Sequence, residues 1–369
     1  MSAYSASGVN YQQLDPAKII FQNAAAATEL LTRIEALTRP LPWTRGESCF
    51  LHRIDGSDLC LAHVHETLGT KNLVADAMEL LTGRNYYHGI GQDGVAMVVN
   101  DMITLGALPI SVAMHLSAGS SAWFKDLDRV TNLAQGWAQA CVFAGATWAG
   151  GETPALTDIL MPDVCELSGS ALGVVHEDHI MNPLHLEQGD EMVFLSNPGL
   201  GANGFTLARE ISYLLDEGYL TKIDNDGTTY GEALLTPTPI YVSALRSLQR
   251  NGLKPVYGVN VTGHGMLKLM RAPQSFTYRV TALPVKTPAV FERIQDAKKI
   301  SKEEMYSTYN MGIGFVFFVK NGEAGTAVDL LAKAGFGAWR GGYVGRAGTK
   351  QVIIEELGVV YKGAQLSIR

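Results

Sequence analysis

Between Leu59 and Asp101 the chain joins an apolar run, Leu59 to Val64, to the turn Glu66-Thr-Leu-Gly69-Thr70-Lys71, and then to a helix-period stretch from Asp93 to Asp101. No other stretch restricts its folding so strongly. A glycine at the end of a strand frees backbone N–H groups to approach phosphate oxygens, Lys71 adds a compact positive charge, and Glu66 is an oxygen ligand suited to Mg²⁺. On a wheel of about 3.6 residues per turn, Val95, Val98, Val99 and Met102 form one apolar stripe, with Asp93 and Asn100 on the opposite side. The helix would then bury one face and offer paired oxygens on the other. Gly-Thr-Lys is shorter than the Walker phosphate-loop pattern, and an Asp/Asn face is equally a solvated one, so the local reading stays open.

The length of 369 residues suits two domains, which together would bury about 75% of the unfolded surface without a metal or disulfide staple. A hydrophobic content of 47%, 18% charged residues and 39 glycines fit a compact α/β or α+β enzyme. The net charge of -7 and the dispersed basic residues argue against nucleic acid and anionic membranes as partners. Cys49, Cys60, Cys141 and Cys165 form no Cys-x-x-Cys pair, which excludes a zinc knuckle or disulfide framework and points to reduced thiols in a cytoplasm. There is no basic and apolar leader and no run of about 18 apolar residues, so a soluble, cytoplasmic protein is expected.

Residues Tyr4 to Tyr11 read as a polar arm, and Asp15-Pro16 as the start of a helix burying Ile19, Ile20, Ala24, Ala27, Leu30, Leu31 and Ile34. Residues 43–58 read as irregular. Helices are expected over 72–81, from Asp93 to near Gly106, and over 127–144, with strands over 110–116, 146–149 and 168–175. Gly150-Gly151-Glu152-Thr153 follows the second of these strands as a turn, which either lets a carboxylate meet a ligand closely or is a plain turn. A charged segment near residue 180 divides a domain over 1–180 from one over 181–369.

In the second half, Gly199-Leu-Gly201-Ala-Asn203-Gly204 between a strand and a helix spells a dinucleotide-binding fingerprint, yet Glu217 to Glu232 is polar where that unit needs a second buried strand. A second glycine corner, Thr262-Gly263-His264-Gly265, precedes a helix over 266–271 and would aim N–H groups at an anion.

Taken together these landmarks resemble the phosphoribosylformylglycinamidine cyclo-ligase (aminoimidazole ribonucleotide synthetase) family. The matching pieces keep one order: Tyr4…Gly8-Val9, Gly69-Thr70-Lys71, Asp93…Asn100-Asp101, Gly150-Gly151-Glu152-Thr153, Asn203-Gly204, Leu234-Leu235…Pro237-Thr238…Ile240-Tyr241, Thr262-Gly263 and Glu304-Met305-Tyr306…Asn310…Gly312…Gly314. The resemblance covers nearly the whole chain and implies a two-domain α+β fold with mixed sheets flanked by helices. It also implies an N-terminal domain that binds ATP and pairs across a homodimer, and a C-terminal domain on the substrate side.

The implied reaction closes the imidazole ring of a purine precursor: formylglycinamidine ribonucleotide and ATP, with Mg²⁺, give aminoimidazole ribonucleotide, ADP and phosphate. By the same resemblance Lys71, Asp93 and Glu152 would be catalytic, and Glu66, Asp93 and Glu152 would hold Mg²⁺. Glu66, Gly69, Thr70, Lys71, Asp93, Asn100, Asp101, Gly151 and Thr153 would bind ATP; Asn203, Gly204, Thr262, Gly263 and His264 would bind the ribonucleotide. The chain departs from the family at Glu66, where Asp is usual, across Trp43 to Asp58, which replaces a glycine-rich segment, and at His264, which replaces a glycine and either takes a polar task or is structural.

Three rivals remain at this point. His63, His65 and Glu66 suggest a zinc hydrolase, although no third histidine has ligand spacing. Sibling enzymes with this fold phosphorylate other small molecules with ATP, and a non-catalytic nucleotide-binding paralogue would tolerate the altered acid loop.

Overall fold

The computed structural model describes Ala3, Ser7, residues 11–28 and residues 37–366. The motif Tyr4…Gly8-Val9 and the expected helical positions Leu30, Leu31 and Ile34 lie outside the described residues. Helix α1 runs Tyr11–Thr28, so Pro16 sits inside it instead of opening it.

The first sheet has the order β1-β2-β3-β6-β4-β5, with β1 at Thr38–Pro40, β2 at Phe50–Ile54, β3 at Leu59–Thr67, β4 at Leu108–Ala118, β5 at Thr147–Glu152 and β6 at Cys165–His176. Its pairs are antiparallel except for β4 with β5. Strand β2 occupies part of the stretch expected to be irregular. Its short alternation buries Leu51 while Phe50, His52 and Arg53 stay more open, a pattern hidden by the neighbouring Trp43-to-Gly46 turn residues.

Helices α2 (Asn72–Thr82) and α4 (Leu127–Ala144) lie where they are expected, whereas α3 (Tyr87–Met102) begins well before Asp93 and gives way to a 3₁₀ turn, Ile103–Leu105, ahead of Gly106. Gly83 and Gly145 take left-handed backbone at the ends of α2 and α4, as helix-stopping glycines do. The expected apolar stripe of α3 is buried, and so is the opposite face: Asp93, Asn100 and Asp101 are as inaccessible as Val95 and Val99. Those polar groups meet the second half of the chain, which turns the expected solvent or ligand face into a contact between domains.

The second sheet has the order β13-β12-β9-β11-β7-β10-β8, with β7 at Glu191–Ser196, β8 at Tyr257–Asn260, β9 at Phe276–Val280, β10 at Ile313–Val319, β11 at Ala338–Ala347, β12 at Gln351–Ile354 and β13 at Val359–Lys362. Every residue of β10 is buried, as its unbroken apolar run requires. After β7 come α5 (Phe205–Ser212), α6 (Tyr230–Leu234), α7 (Val242–Arg250), α8 (Ala289–Lys298), α9 (Lys302–Thr308) and α10 (Ala324–Lys333).

Strand β7 lies between β10 and β11, antiparallel to both, so the Gly199–Gly204 loop does not open a parallel strand-helix-strand unit and the dinucleotide reading fails. The stretch expected as helix 266–271 is a tight 3₁₀ segment, Gly265–Arg271. The architecture is α+β, two domains each built on one mixed sheet flanked by helices.

Candidate active site

Lys71 follows the Gly69 turn and opens α2, and its side chain is wholly buried. Its Nζ lies 2.7 Å from Asp93 Oδ2 and donates to the carbonyls of Gly201 at 3.0 Å and Thr236 at 2.8 Å. Asp93 Oδ1 accepts from the Thr238 backbone N–H at 2.8 Å and from its hydroxyl. Burial pushes the lysine down and the aspartate up from their ordinary values, and the mutual attraction opposes both shifts. Two carbonyls take hydrogen bonds from the ammonium and the Asp93 carboxylate balances its charge.

Two turns further along α3, Asn100 donates to Pro239 O at 2.8 Å and accepts from Tyr241 N at 2.9 Å. Gln92 donates to Thr238 O at 2.9 Å. The face of α3 that carries Gln92, Asp93 and Asn100 thus clasps residues 236–241. In this state Lys71, Asp93 and Asn100 join the domains and leave no group facing an open ligand site.

The open site lies beside that clasp. A cleft of about 640 Å³ is lined from the front half by Glu47, Glu66 and Asp101, and from the back half by Asn203, the Thr262-Gly263-His264 corner and Lys268. Six of the residues expected to bind ligands therefore share one cavity: Glu66, Asp101, Asn203, Thr262, Gly263 and His264. Gly204 stands at the start of α5 with φ +80°, and a Cβ there would fall 2.2 Å from the Tyr309 ring, so glycine is required for the turn that presents Asn203.

Charge is concentrated in this cleft. Burial, and then the neighbouring charge of Asp101, pushes the Glu66 carboxyl up to about 7, with Lys268 and Arg271 opposing. Burial pulls the Lys268 ammonium down to about 8, against Asp101. His264, held in left-handed backbone at φ +69°, is lowered to about 4 by burial and then by Lys268. A carboxyl raised toward neutrality and an ammonium lowered toward it in one cavity mark a functional site.

The remaining expected residues sit elsewhere. Gly69 and Thr70 form the turn before α2 and do not line the cleft. The Gly150–Thr153 stretch is not a turn after a strand. Gly150, Gly151 and Glu152 continue edge strand β5, and Glu152 is exposed in register with His115 of β4. A Cβ on Gly151 would lie 1.7 Å from Met114 O, so only glycine lets the two strands approach there. Lys71, Asp93 and Glu152 are therefore not one constellation within this chain. Lys268 was missed; a lysine and an arginine three apart after a Thr-Gly corner, Lys268 and Arg271, were the available signal. Among the described residues no group of three His, Cys, Asp or Glu side chains could hold a metal, which leaves the zinc reading without a site.

Comparison with known proteins places this geometry. The AIR synthase related protein, N-terminal domain, matches residues 46–175, and the AIR synthase related protein, C-terminal domain, matches residues 187–355. The phosphoribosylformylglycinamidine cyclo-ligase of Carboxydothermus hydrogenoformans is 32% identical over 293 residues, covering 78% of this chain and 81% of that protein. The one from Caldicellulosiruptor saccharolyticus is 29% identical over 348 residues, covering 92% of this chain and 96% of its own. Among solved structures, a HypE–HypF complex aligns with a TM-score of 0.58 at 16% identity, over 83% of this chain and 92% of that one. AaThiL complexed with AMPPCP and TMP aligns at 0.56 and 12% identity, over 85% and 89%.

Fold and cleft define a two-domain protein of the AIR synthase-related class. Within that class, the identity to the curated relatives shows that the chain belongs to the phosphoribosylformylglycinamidine cyclo-ligase family.

Proposed function

We propose that the protein closes the imidazole ring of formylglycinamidine ribonucleotide at the expense of ATP, giving aminoimidazole ribonucleotide, ADP and phosphate in purine biosynthesis. The observation that carries this reading is the cleft in which Glu66 and Asp101 of the front half face Asn203, Thr262 and Gly263 of the back half. Solved relatives of the fold in complex with ATP or its analogue AMPPCP support a nucleotide as one of the two ligands. Phosphoryl transfer demands little proton chemistry and much charge placement, which suits a cavity lined by both carboxylates and cations.

Mg²⁺ is tested by the donor set. Glu66 is lifted to about 7 partly because Asp101 crowds it with like charge, a repulsion that a divalent cation would relieve. Mg²⁺ takes one or two carboxylates plus water and phosphate oxygens, so Glu66 and Asp101 would hold it. When bound it would neutralise charge on the polyphosphate. Asp93 is committed to its ion pair with Lys71, and Glu152 is not among the residues that line the cleft. Asn203 and the Thr262-Gly263 corner would orient the ribonucleotide.

A homodimer is supported by the outer face of the first sheet, which leaves Leu59, Ile110 and Leu172 at 40%, 44% and 42% exposure. No helix of the described residues is long and apolar enough to cross a membrane, and all four cysteines are free and buried. A cytoplasmic enzyme is the reading that agrees with both.

The test supplies formylglycinamidine ribonucleotide, ATP and Mg²⁺ and follows ADP together with the diazotisable aminoimidazole. Equal yields of both products support the cyclo-ligase. ADP formed only with a different acceptor would reassign the chemistry to a sibling kinase, and nucleotide binding with no turnover would make the chain a non-catalytic paralogue.

A further inference from the structure

We infer that Lys268 is a further catalytic residue of this cleft, its ammonium meeting the phosphoryl group as it passes from ATP to the formyl oxygen and as it leaves on ring closure. The inference rests on the cyclo-ligase reading of the site. In the first step a P–O bond to the formyl oxygen forms as the P–O bond to ADP breaks, with ADP keeping the electron pair. In the second a C–N bond forms as the C–O bond to phosphate breaks, with phosphate keeping the pair and the proton of the attacking nitrogen passing to water. Lys268 exchanges no proton in either; it supplies positive charge where the transferred oxygens gather.

Among the described residues, Lys71, Arg271 and Lys268 are the largely enclosed cations at or beside the cleft, and two of them are already committed. Lys71 is paired with Asp93, donates to the carbonyls of Gly201 and Thr236, and has no exposed surface. Arg271 donates to Ser48 Oγ at 2.8 Å and Gly46 O at 2.7 Å and lies 3.8 Å from Glu47, so it clamps the 46–48 loop. Lys268 differs from both. It donates to Asn260 O at 3.3 Å and to the Thr262 hydroxyl, two neutral acceptors, and among the described residues no carboxylate lies within ion-pair distance of it. Two of three N–H groups are fixed to the cleft wall, so one remains for a ligand.

Lys268 stands among charges of both signs. Asp101 and Glu66 attract it from α3 and β3, and Arg271 and Lys18 repel it from its own segment and from α1. Burial disfavours the charged amine, and a phosphate held against its remaining N–H would offset that penalty. Thr262, expected to meet the ribonucleotide, is also the hydroxyl that holds Lys268, so the glycine corner and the cation form one unit.

The experiment compares wild type with Lys268→Gln, which keeps a donor without charge, and Lys268→Arg, which keeps the charge. With substrate, ATP and Mg²⁺, Lys268→Gln should lose about 100-fold or more in kcat, as removal of a preorganised donor does, while Lys268→Arg recovers at least about a tenth of wild-type kcat. Inorganic phosphate, titrated by calorimetry, should bind at least about tenfold more weakly to Lys268→Gln, a loss of about 1.4 kcal/mol. A Gln variant within about threefold of wild type in kcat, or an Arg variant as inactive as Gln with both folded, overturns the assignment.

Should wild type form no aminoimidazole, the cyclo-ligase reading fails by itself. The phosphate titration then decides Lys268 alone, and equal affinity in wild type and Lys268→Gln overturns it. If the variants do not fold, the wild-type protein suffices: inorganic phosphate should slow acetylation of Lys268, and an unchanged acetylation rate overturns the proposal.

Discussion

Lys71 and Asp93, fully buried and 2.7 Å apart within the first domain, form an ion pair whose other hydrogen bonds reach the second domain at Gly201, Thr236 and Thr238. Removing one partner strands the other charge in the interior, which typically costs about 3–5 kcal/mol, whereas neutralising both together costs far less. Lys71→Ala should therefore lower the urea midpoint sharply, and Lys71→Met with Asp93→Asn should recover most of the loss. A Lys71→Ala protein of wild-type stability but no turnover would return Lys71 to the phosphate-binding role that the family resemblance implied.

Asp101 faces the cleft while accepting a hydrogen bond from Asn260 Nδ2 at 2.7 Å. If it shares Mg²⁺ with Glu66, Asp101→Asn keeps the hydrogen-bonded shape and removes a charged ligand. The Mg²⁺ concentration for half-maximal turnover should rise about tenfold or more, equivalent to about 1.4 kcal/mol. An unchanged Mg²⁺ curve would exclude Asp101 from the metal.

His264 gives a pH signature. Its folded value, lowered to about 4, lies below the ordinary 6.5, so the unfolded chain binds the proton more readily between them. The stability that neutral His264 contributes is present above about pH 6.5 and is lost as pH falls toward 4, by at most about 1.4 kcal/mol per pH unit. His264→Asn, a residue that tolerates left-handed backbone, should flatten the stability profile over that window. Urea titrations of both proteins at pH 7 and pH 5 compare the slopes, and equal slopes refute the assignment.

Leu172 belongs to the outer face of the first sheet, opposite His63 of β3 and Ser111 of β4. If that face pairs two copies, Leu172→Glu places a charge in the apolar seam and light scattering should report a monomer where wild type is a dimer. A wild-type monomer, or a Glu variant that stays dimeric, rejects this face as the interface.

Much of the framework could be read from local pattern. The stripe Val95, Val98, Val99 and Met102 is buried as its spacing requires, α4 runs over the expected Leu127–Ala144, and the run Glu191 to Ser196 is β7. What could not be read is where polar side chains end up. The acceptors of Lys71 lie 130 and 165 positions further along, and those of Asn100 about as far, so nothing near them in sequence distinguishes a domain joint from a ligand site. Strand β9 and helices α8 and α9 were also missed, because their apolar positions are few and they are shaped by packing against the second sheet. The cleft itself was legible in part: glycine corners mark backbone that must turn, whereas Lys268 sits in a segment whose function depends on what faces it across the gap.

Gln92, Asp93 and Asn100 grip residues 238–241 along two turns of one helix, and that grip sets how a ligand can arrive. Halves fastened so firmly along their shared axis do not swing apart like the covers of a book. Traffic would then pass over the lip of the cavity, where Arg271 tethers the 46–48 loop and Lys18 of the first helix forms part of the lining. Turnover in such a molecule would be paced by small excursions of that lip above an unmoving floor.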